Sequence, residues 1–117
     1  MKTLVIGAST NSARYSYKAT KSLLEHGHEV ALYGLKKGDV YGVSIEQTFP
    51  NSDIDTVTMY VGPQNQPSIY QDIIDLKPRR VIFNPGTENT EFIKMLQAEG
   101  IETEDACTLV LLSLKSY

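Results

Sequence analysis

The sequence predicts a three-layer, doubly wound α/β domain around a five-stranded, mainly parallel sheet. Short apolar or β-branched runs alternate with amphipathic stretches of helical length, a pattern typical of parallel strands joined by right-handed crossovers. The first run, at residues 2–6, ends at Gly7, continues into a turn of small polar residues and then enters a helical stripe. The 117 residues have the size of a single domain.

Each element is bounded by turn or capping residues. The continuous apolar run at residues 4–6 is typical of a strand covered on both faces. Gly27 is placed to end the first helix, and Gly34 to stop the second strand. Residues 34–44 are interpreted as a connector, followed by a short extended piece around 43–49. The expected strands are 2–6, 29–33, 55–61, 79–84 and 101–104, and the expected helices are 14–26, 66–76, 88–98 and 107–114.

Composition and charge argue against several classes of function. The net charge of -3 argues against a nucleic-acid partner, which needs a concentrated basic face. No apolar run approaches the roughly 20 residues that would cross a membrane, and no signal peptide is expected ahead of the first strand. The single cysteine, Cys107, cannot form an internal disulfide, so a cytoplasmic location is expected.

The turn from Gly7 to Arg14 is the leading candidate for a ligand site. A helix that begins just beyond a strand offers backbone N–H groups and a positive dipole end, both of which favour phosphate. Ser9 and Asn11 add side-chain donors, and Arg14 opposes the helix dipole unless an anion is bound. The alternative is a plain turn with helix-capping residues.

This turn does not match the dinucleotide fingerprint G-x-G-x-x-G. Only Gly7 is present, and serines stand at the second and third glycine positions. The second strand also ends without the acidic residue that holds the ribose of NAD, and Lys36 and Lys37 follow instead. Lysines there suit a further phosphate, such as one on the ribose of NADP or of coenzyme A, unless they belong to a solvated loop.

Pro85 and Gly86 form a second candidate loop, at the end of the fourth expected strand. The Pro-Gly turn exposes backbone groups toward the same edge of the sheet. Glu88 and Asn89 either contact a ligand there or cap the next helix. Elsewhere, His26 and His28 are expected at the surface on the far side, Cys107 is expected to be structural, and no metal-binding spacing is present.

With these motifs, the sequence resembles the small stand-alone CoA-binding domain proteins of bacteria, which are related to the first domain of the succinyl-CoA synthetase alpha subunit. The resemblance extends over nearly the whole chain. It depends on residues 7–17, on 24–30, on the Pro-Gly-Thr-Glu-Asn block at 85–89 and on residues 105–107. The family usually has a Val-Asn-Pro turn where this chain has residues 33–35, and a cation near the proline at position 63.

The resemblance implies a Rossmann-like fold that binds coenzyme A, or a similar adenine nucleotide, at the carboxyl edge of the sheet. We therefore expect non-catalytic binding of coenzyme A or an acyl-CoA, with an NAD(P)-binding, oxidoreductase-like protein as the alternative. A third possibility is an interaction module, in which the apolar segment 109–114 packs on a second copy. The predicted cofactor-binding residues are Gly7, Ala8, Ser9, Asn11, Arg14, Lys36, Pro85 and Gly86.

Overall fold

The computed structural model describes residues 2–51 and 53–117. Strands and helices alternate as the sequence predicts, except that four strands follow one another between residues 29 and 59. Two short 3-10 turns, Pro63–Asn65 and Pro67–Ile69, precede the second α-helix. The strands are β1 (Lys2–Ile6), β2 (Glu29–Tyr33), β3 (Gly38–Val40), β4 (Val43–Glu46), β5 (Thr56–Met59), β6 (Arg80–Phe83) and β7 (Glu102–Asp105). The helices are α1 (Tyr15–Glu25), α2 (Tyr70–Leu76), α3 (Thr90–Ala98) and α4 (Thr108–Ser113).

The sheet confirms the doubly wound architecture. Its strand order is β3-β4-β2-β1-β5-β6-β7, and every neighbouring pair is parallel except β3 and β4. The strands β1 and β5 therefore lie at the centre, with β2, β4 and β3 on one side and β6 and β7 on the other. In such sheets the crevice between diverging connections lies at the carboxyl ends of the central strands, which is where ligands bind. The strands β3 and β7 form the two edges.

The strand count of five was wrong, because the sheet has seven strands in the described residues. The two additional strands, β3 and β4, come from the segment interpreted as a connector and a short extended piece. They form a hairpin in which Val40 pairs with Val43, while Tyr41 and Gly42 both have positive φ, at 48° and 83°. Two consecutive positive φ angles make the tight turn that matches strand twist, and Tyr-Gly is an uncommon sequence for it.

The two 3-10 turns ahead of α2 are also a departure, because a continuous helix was expected from residue 66. Pro63 and Pro67 lack the N–H that an α-helix interior needs, so the chain there makes i to i+3 bonds instead. The amide of Gln66 donates to the Pro63 carbonyl at 3.2 Å, and the amide of Tyr70 donates to the Pro67 carbonyl.

Two apolar layers cover the opposite faces of the sheet and complete the predicted three-layer arrangement. Along β1, Leu4 and Ile6 face one layer and Val5 faces the other, as strand alternation requires. One layer lies under α2 and α3, and the other under α1 and α4. The buried helical residues that complete them include Ile73, Phe92 and Leu96 in the first layer, and Leu23 and Leu112 in the second.

Replacing Phe92 with alanine should test the first layer. Phe92 is fully buried, with its ring 4.2 Å from that of Tyr70 and 6.0 Å from that of Phe83, centroid to centroid. The lost burial and the cavity should lower the free energy of unfolding by about 3–5 kcal/mol. Urea denaturation measures this change. Phe92→Leu is the control and should cost much less, and equal losses for both substitutions would contradict the packing described.

Pairing of two copies through residues 109–114 stays a prediction. In α4, Val110 is 50% exposed and Leu114, just after the helix, is 67% exposed, so an apolar strip remains uncovered in one copy. Light scattering should give about twice the chain mass of 13.0 kDa. Leu114→Glu should restore the single-copy mass, because the charge would have to be desolvated in the interface. A single-copy mass for the unaltered chain would refute the pairing.

Candidate functional site

A large cleft lies at the carboxyl edge of the sheet, with a volume of about 1170 Å³. It lies where the topology predicts a site, between the loops that follow β1 and β2 and those that follow β5 and β6. We call the part formed by residues 7–16 and 33–36 the cationic end, and the part formed by residues 61–69 and 85–87 the neutral end. The lining residues include every predicted site residue except Asn11: Gly7, Ala8, Ser9, Arg14, Lys36, Pro85 and Gly86.

The start of the first turn is held by the end of β2. The backbone amides of Gly7 and Ala8 both donate to the carbonyl oxygen of Tyr33, each at 2.9 Å. Gly7 has a φ of 93°, and a Cβ there would lie 3.1 Å from the backbone of Tyr60. These two residues therefore shape the cleft floor, and their N–H groups are already used within the protein.

Asn11 acts inside the turn rather than in the cleft. Its side-chain oxygen accepts from the amide of Ala13 at 3.0 Å, and its own amide donates to the Ser9 hydroxyl at 3.0 Å. Its carbonyl oxygen accepts from the amide of Arg14 at 3.0 Å. Asn11 thus contacts Ser9 and Arg14 but does not line the cleft, and these bonds fix the path of the chain into α1.

The N-terminus of α1 opens toward the cleft. Arg14 is the N-cap residue, its side chain makes no capping bond, and the first turn has no acidic residue. Because the first amides of a helix have no acceptor within it, those of Tyr15, Ser16 and Tyr17 keep their partial positive charge. Ser16 is buried and lines the cleft, whereas Arg14 is exposed at its rim.

Close contact between two loops brings Lys36 to the cleft. At Gly34, a Cβ would lie only 2.5 Å from the carbonyl oxygen of Ala8, so any other residue would push the two loops apart. The residues that follow, Leu35 and Lys36, are exposed and line the cationic end, while Lys37 lies outside the lining. The sequence pattern identified Gly34 as a strand stop but gave no sign of this contact.

The loop at Pro85 and Gly86 is held by its own side chains. Both the amide and the hydroxyl of Thr87 donate to the carbonyl of Asn84, at 3.0 and 2.7 Å. The amide of Gly86 donates to a carboxylate oxygen of Glu88 at 2.9 Å. Asn89 is the N-cap of α3 and accepts from the amide of Phe92 at 3.0 Å. Neither Glu88 nor Asn89 lines the cleft: Asn89 caps α3, as the capping alternative predicts, whereas Glu88 binds the loop amide of Gly86.

Gln66 is a residue that the sequence pattern did not single out. It is fully buried between the loops that follow β5 and β6. Its side-chain amide donates to the carbonyls of Val61 and Thr87 at 2.9 and 2.8 Å, and its oxygen accepts from Asn89 at 2.9 Å. Nothing in the sequence distinguishes it from the exposed Gln64 two residues earlier, because its role depends on hydrogen bonds to Thr87 and Asn89, which are distant in sequence.

The remaining sequence-based candidates lie apart from the cleft. His26 binds the carbonyl of Ser22 through its ring, and the ring of His28 lies 4.9 Å from that of Tyr117. Burial lowers the pKa of His28, which favours its neutral form. Cys107 is half-buried at the start of α4. None of the three lines the cleft as described by residues 2–51 and 53–117.

These features define a Rossmann-like α/β domain with a cleft at the switch point of its sheet. The family model described as CoA binding domain matches residues 1–113. The chain therefore belongs to the CoA binding domain family. Within residues 2–51 and 53–117, no helix is both long and apolar enough to cross a membrane.

Solved structures share this fold over nearly the whole chain. A crystal structure of an uncharacterized protein is 50% identical, with a TM-score of 0.97, and the match covers 99% of this chain and 97% of that one. A Thermus thermophilus protein is 19% identical, with a TM-score of 0.84 and coverage of 99% and 90%.

A third solved structure is a domain-sized match within a much longer chain. The acetyl-coenzyme A synthetase 1 of Candidatus Korarchaeum cryptofilum, in complex with phosphate and ADP, is 13% identical, with a TM-score of 0.69. The match covers 90% of this chain and 25% of the synthetase, and it shows the fold alone. The comparison with curated proteins gives no match.

The hydroxyl of Tyr60, beneath the cleft, provides a test in alkaline solution. Burial raises its pKa from 10.0 to about 12. The unfolded chain therefore loses this proton first as the pH rises, and the folded state loses roughly 2–3 kcal/mol of stability between those two values. Urea unfolding of the unaltered chain and of Tyr60→Phe, at several alkaline pH values, should show the stability difference moving in favour of the variant. A difference that stays constant with pH would contradict this.

Proposed function

We propose that this protein binds coenzyme A or an acyl-CoA in the cleft, without catalysing a reaction on it. The observation that supports this most directly is that a member of the CoA binding domain family has a cleft with two chemically different ends. Coenzyme A has the same division, with phosphates and a nucleotide at one end and an uncharged pantetheine arm at the other.

The cationic end suits the pyrophosphate. The uncapped amides at the start of α1 and the hydroxyls of Ser9 and Ser16 are donors of the kind that phosphate oxygens accept. Arg14 adds a guanidinium at the rim, and its position at a helix N-terminus becomes favourable once an anion is bound. Gly7 and Ala8 contribute by shaping the floor, since their amides already bind Tyr33.

Lys36 suits the ribose phosphate. It follows β2, where a NAD-binding domain would carry an acidic residue for the ribose hydroxyls, and this chain has Gly34 and Leu35 there. NADP also carries a ribose phosphate, so the same lysine supports an NADP-binding function as the second candidate. The first turn favours coenzyme A, because it lacks the two further glycines that allow close approach of a dinucleotide.

The neutral end suits the pantetheine arm. Its lining combines apolar side chains, such as Val61, Pro67, Ile69 and Pro85, with uncharged amides and hydroxyls. The cleft lining in the described residues has Ser, Thr, Tyr and Lys side chains but no His, Cys, Asp or Glu, so none of its hydroxyls has a neighbouring imidazole or carboxylate in the lining to activate it. This composition is the reason for proposing binding rather than catalysis.

The single cysteine is consistent with a reducing compartment, and we propose a cytoplasmic location for the protein.

Calorimetric titration with coenzyme A, dephospho-CoA and NADP tests the proposal. Coenzyme A should bind more tightly than NADP. Lys36→Ala should weaken coenzyme A about tenfold, since one charge-assisted contact is lost, and should leave dephospho-CoA unchanged because it lacks the ribose phosphate.

Lys37→Ala is the matched control, since Lys37 is exposed but outside the cleft lining, and it should bind like the unaltered chain. Absence of coenzyme A binding at millimolar ligand would reject the proposal. Tighter binding of NADP than of coenzyme A would favour the second candidate.

A further inference from the structure

We infer that Gln66 is a positioning residue for the pantetheine arm, because it sets the distance between the two loops that form the neutral end. This inference rests on the proposed function. Gln66 does not line the cleft, so it acts through Val61 and Thr87, which do. Its contacts lie on the side of the cleft away from Arg14 and Lys36. Replacing Gln66 should therefore affect binding of the pantetheine arm and not binding of the phosphates.

The hydrogen bonds of Gln66 join loops that are distant in sequence. One side-chain amide nitrogen donates to the carbonyl of Val61, after β5, and to the carbonyl of Thr87, after β6. Both bonds are short, at 2.9 and 2.8 Å, and the side chain is fully buried. A single amide nitrogen therefore holds both walls of the neutral end, and neither loop can move outward without leaving a buried polar group unpaired.

The orientation of the Gln66 amide is determined by its third contact. Its oxygen accepts from the side-chain amide of Asn89 at 2.9 Å, and Asn89 also donates to the hydroxyl of Tyr70 at 2.8 Å. The oxygen of Asn89 is used by the amide of Phe92 at the start of α3. If either amide were rotated by 180°, donors would face donors or acceptors would face acceptors. The start of α2 and the start of α3 thus fix Gln66 before any ligand arrives.

This arrangement needs glutamine specifically. Glutamate has the same length but no N–H donors, and its carboxylate would face two carbonyl oxygens. Leucine has a similar volume but leaves the carbonyls of Val61 and Thr87 and the amide of Asn89 without this partner. Both substitutions should let the two loops separate. A separated pair of loops would present the arm with a wider and less ordered wall, while the cationic end would keep its geometry.

The test compares two ligands on the same variants. Coenzyme A contacts both ends of the cleft, whereas ADP lacks the arm and reports only on the cationic end. Gln66→Leu should weaken coenzyme A about tenfold by calorimetry, and should change ADP affinity, measured by NMR titration into the millimolar range, less than twofold. Gln66→Glu should act in the same direction, and it serves as the second variant if Gln66→Leu does not fold.

Leu96→Ala is the control for general destabilisation, because Leu96 is fully buried in α3 and outside the cleft lining. It should lower stability but leave the ratio of the two affinities unchanged in the folded protein. Equal weakening of both ligands by the Gln66 variants would show a purely structural role and overturn the inference, as would unchanged coenzyme A affinity. If the unaltered chain binds ADP but not coenzyme A, or neither, the proposed function itself fails.

Discussion

The carbonyl oxygen of Tyr33 is the point on which the cleft depends. It accepts the amides of both Gly7 and Ala8, so the end of β2 determines how the chain leaves β1. The same contact brings the Ala8 carbonyl against Gly34, where no side chain could fit. Two loops that belong to different strands therefore behave as one rigid unit. The direction of α1 and the position of Lys36 both follow from it.

At the neutral end of the cleft, side chains rather than backbone groups join the neighbouring loops. Gln66 joins the loops after β5 and β6, and the buried Asn84 joins β6 to its neighbours. Asn84 donates to the Thr58 hydroxyl at 2.7 Å and to the Met59 carbonyl at 2.8 Å, and accepts from the amide of Thr108 at 2.9 Å. Buried amides with all their partners in place resist displacement, which pre-shapes a site before binding.

The sequence predicted elements whose signals are local, and missed those that depend on distant contacts. The central strands β1 and β2 and the helix α1 follow from apolar runs, a helical stripe and Gly27, all readable within a few residues. The hairpin of β3 and β4 was missed because its turn is Tyr41-Gly42, which lacks the usual turn-forming asparagine or aspartate. The predicted site residues follow β1, β2 and β6, and because these strands are parallel, their carboxyl ends lie at the same edge of the sheet. Asn11 is the exception, because its side-chain oxygen binds the amide of Ala13 within the same turn and does not line the cleft.

The outer edge of β7 has a consequence for how copies of the protein meet. The strand consists of Glu102, Thr103, Glu104 and Asp105. Glu102 lies 3.9 Å from the exposed Arg79, and Glu104 lies 3.1 Å from the buried Arg80. Another sheet edge of the same kind laid against it would bring carboxylates face to face. Charged residues on an exposed edge oppose strand addition between molecules. The acidic margin thus opposes growth of the sheet from one molecule to the next at β7, which is one of its two edges.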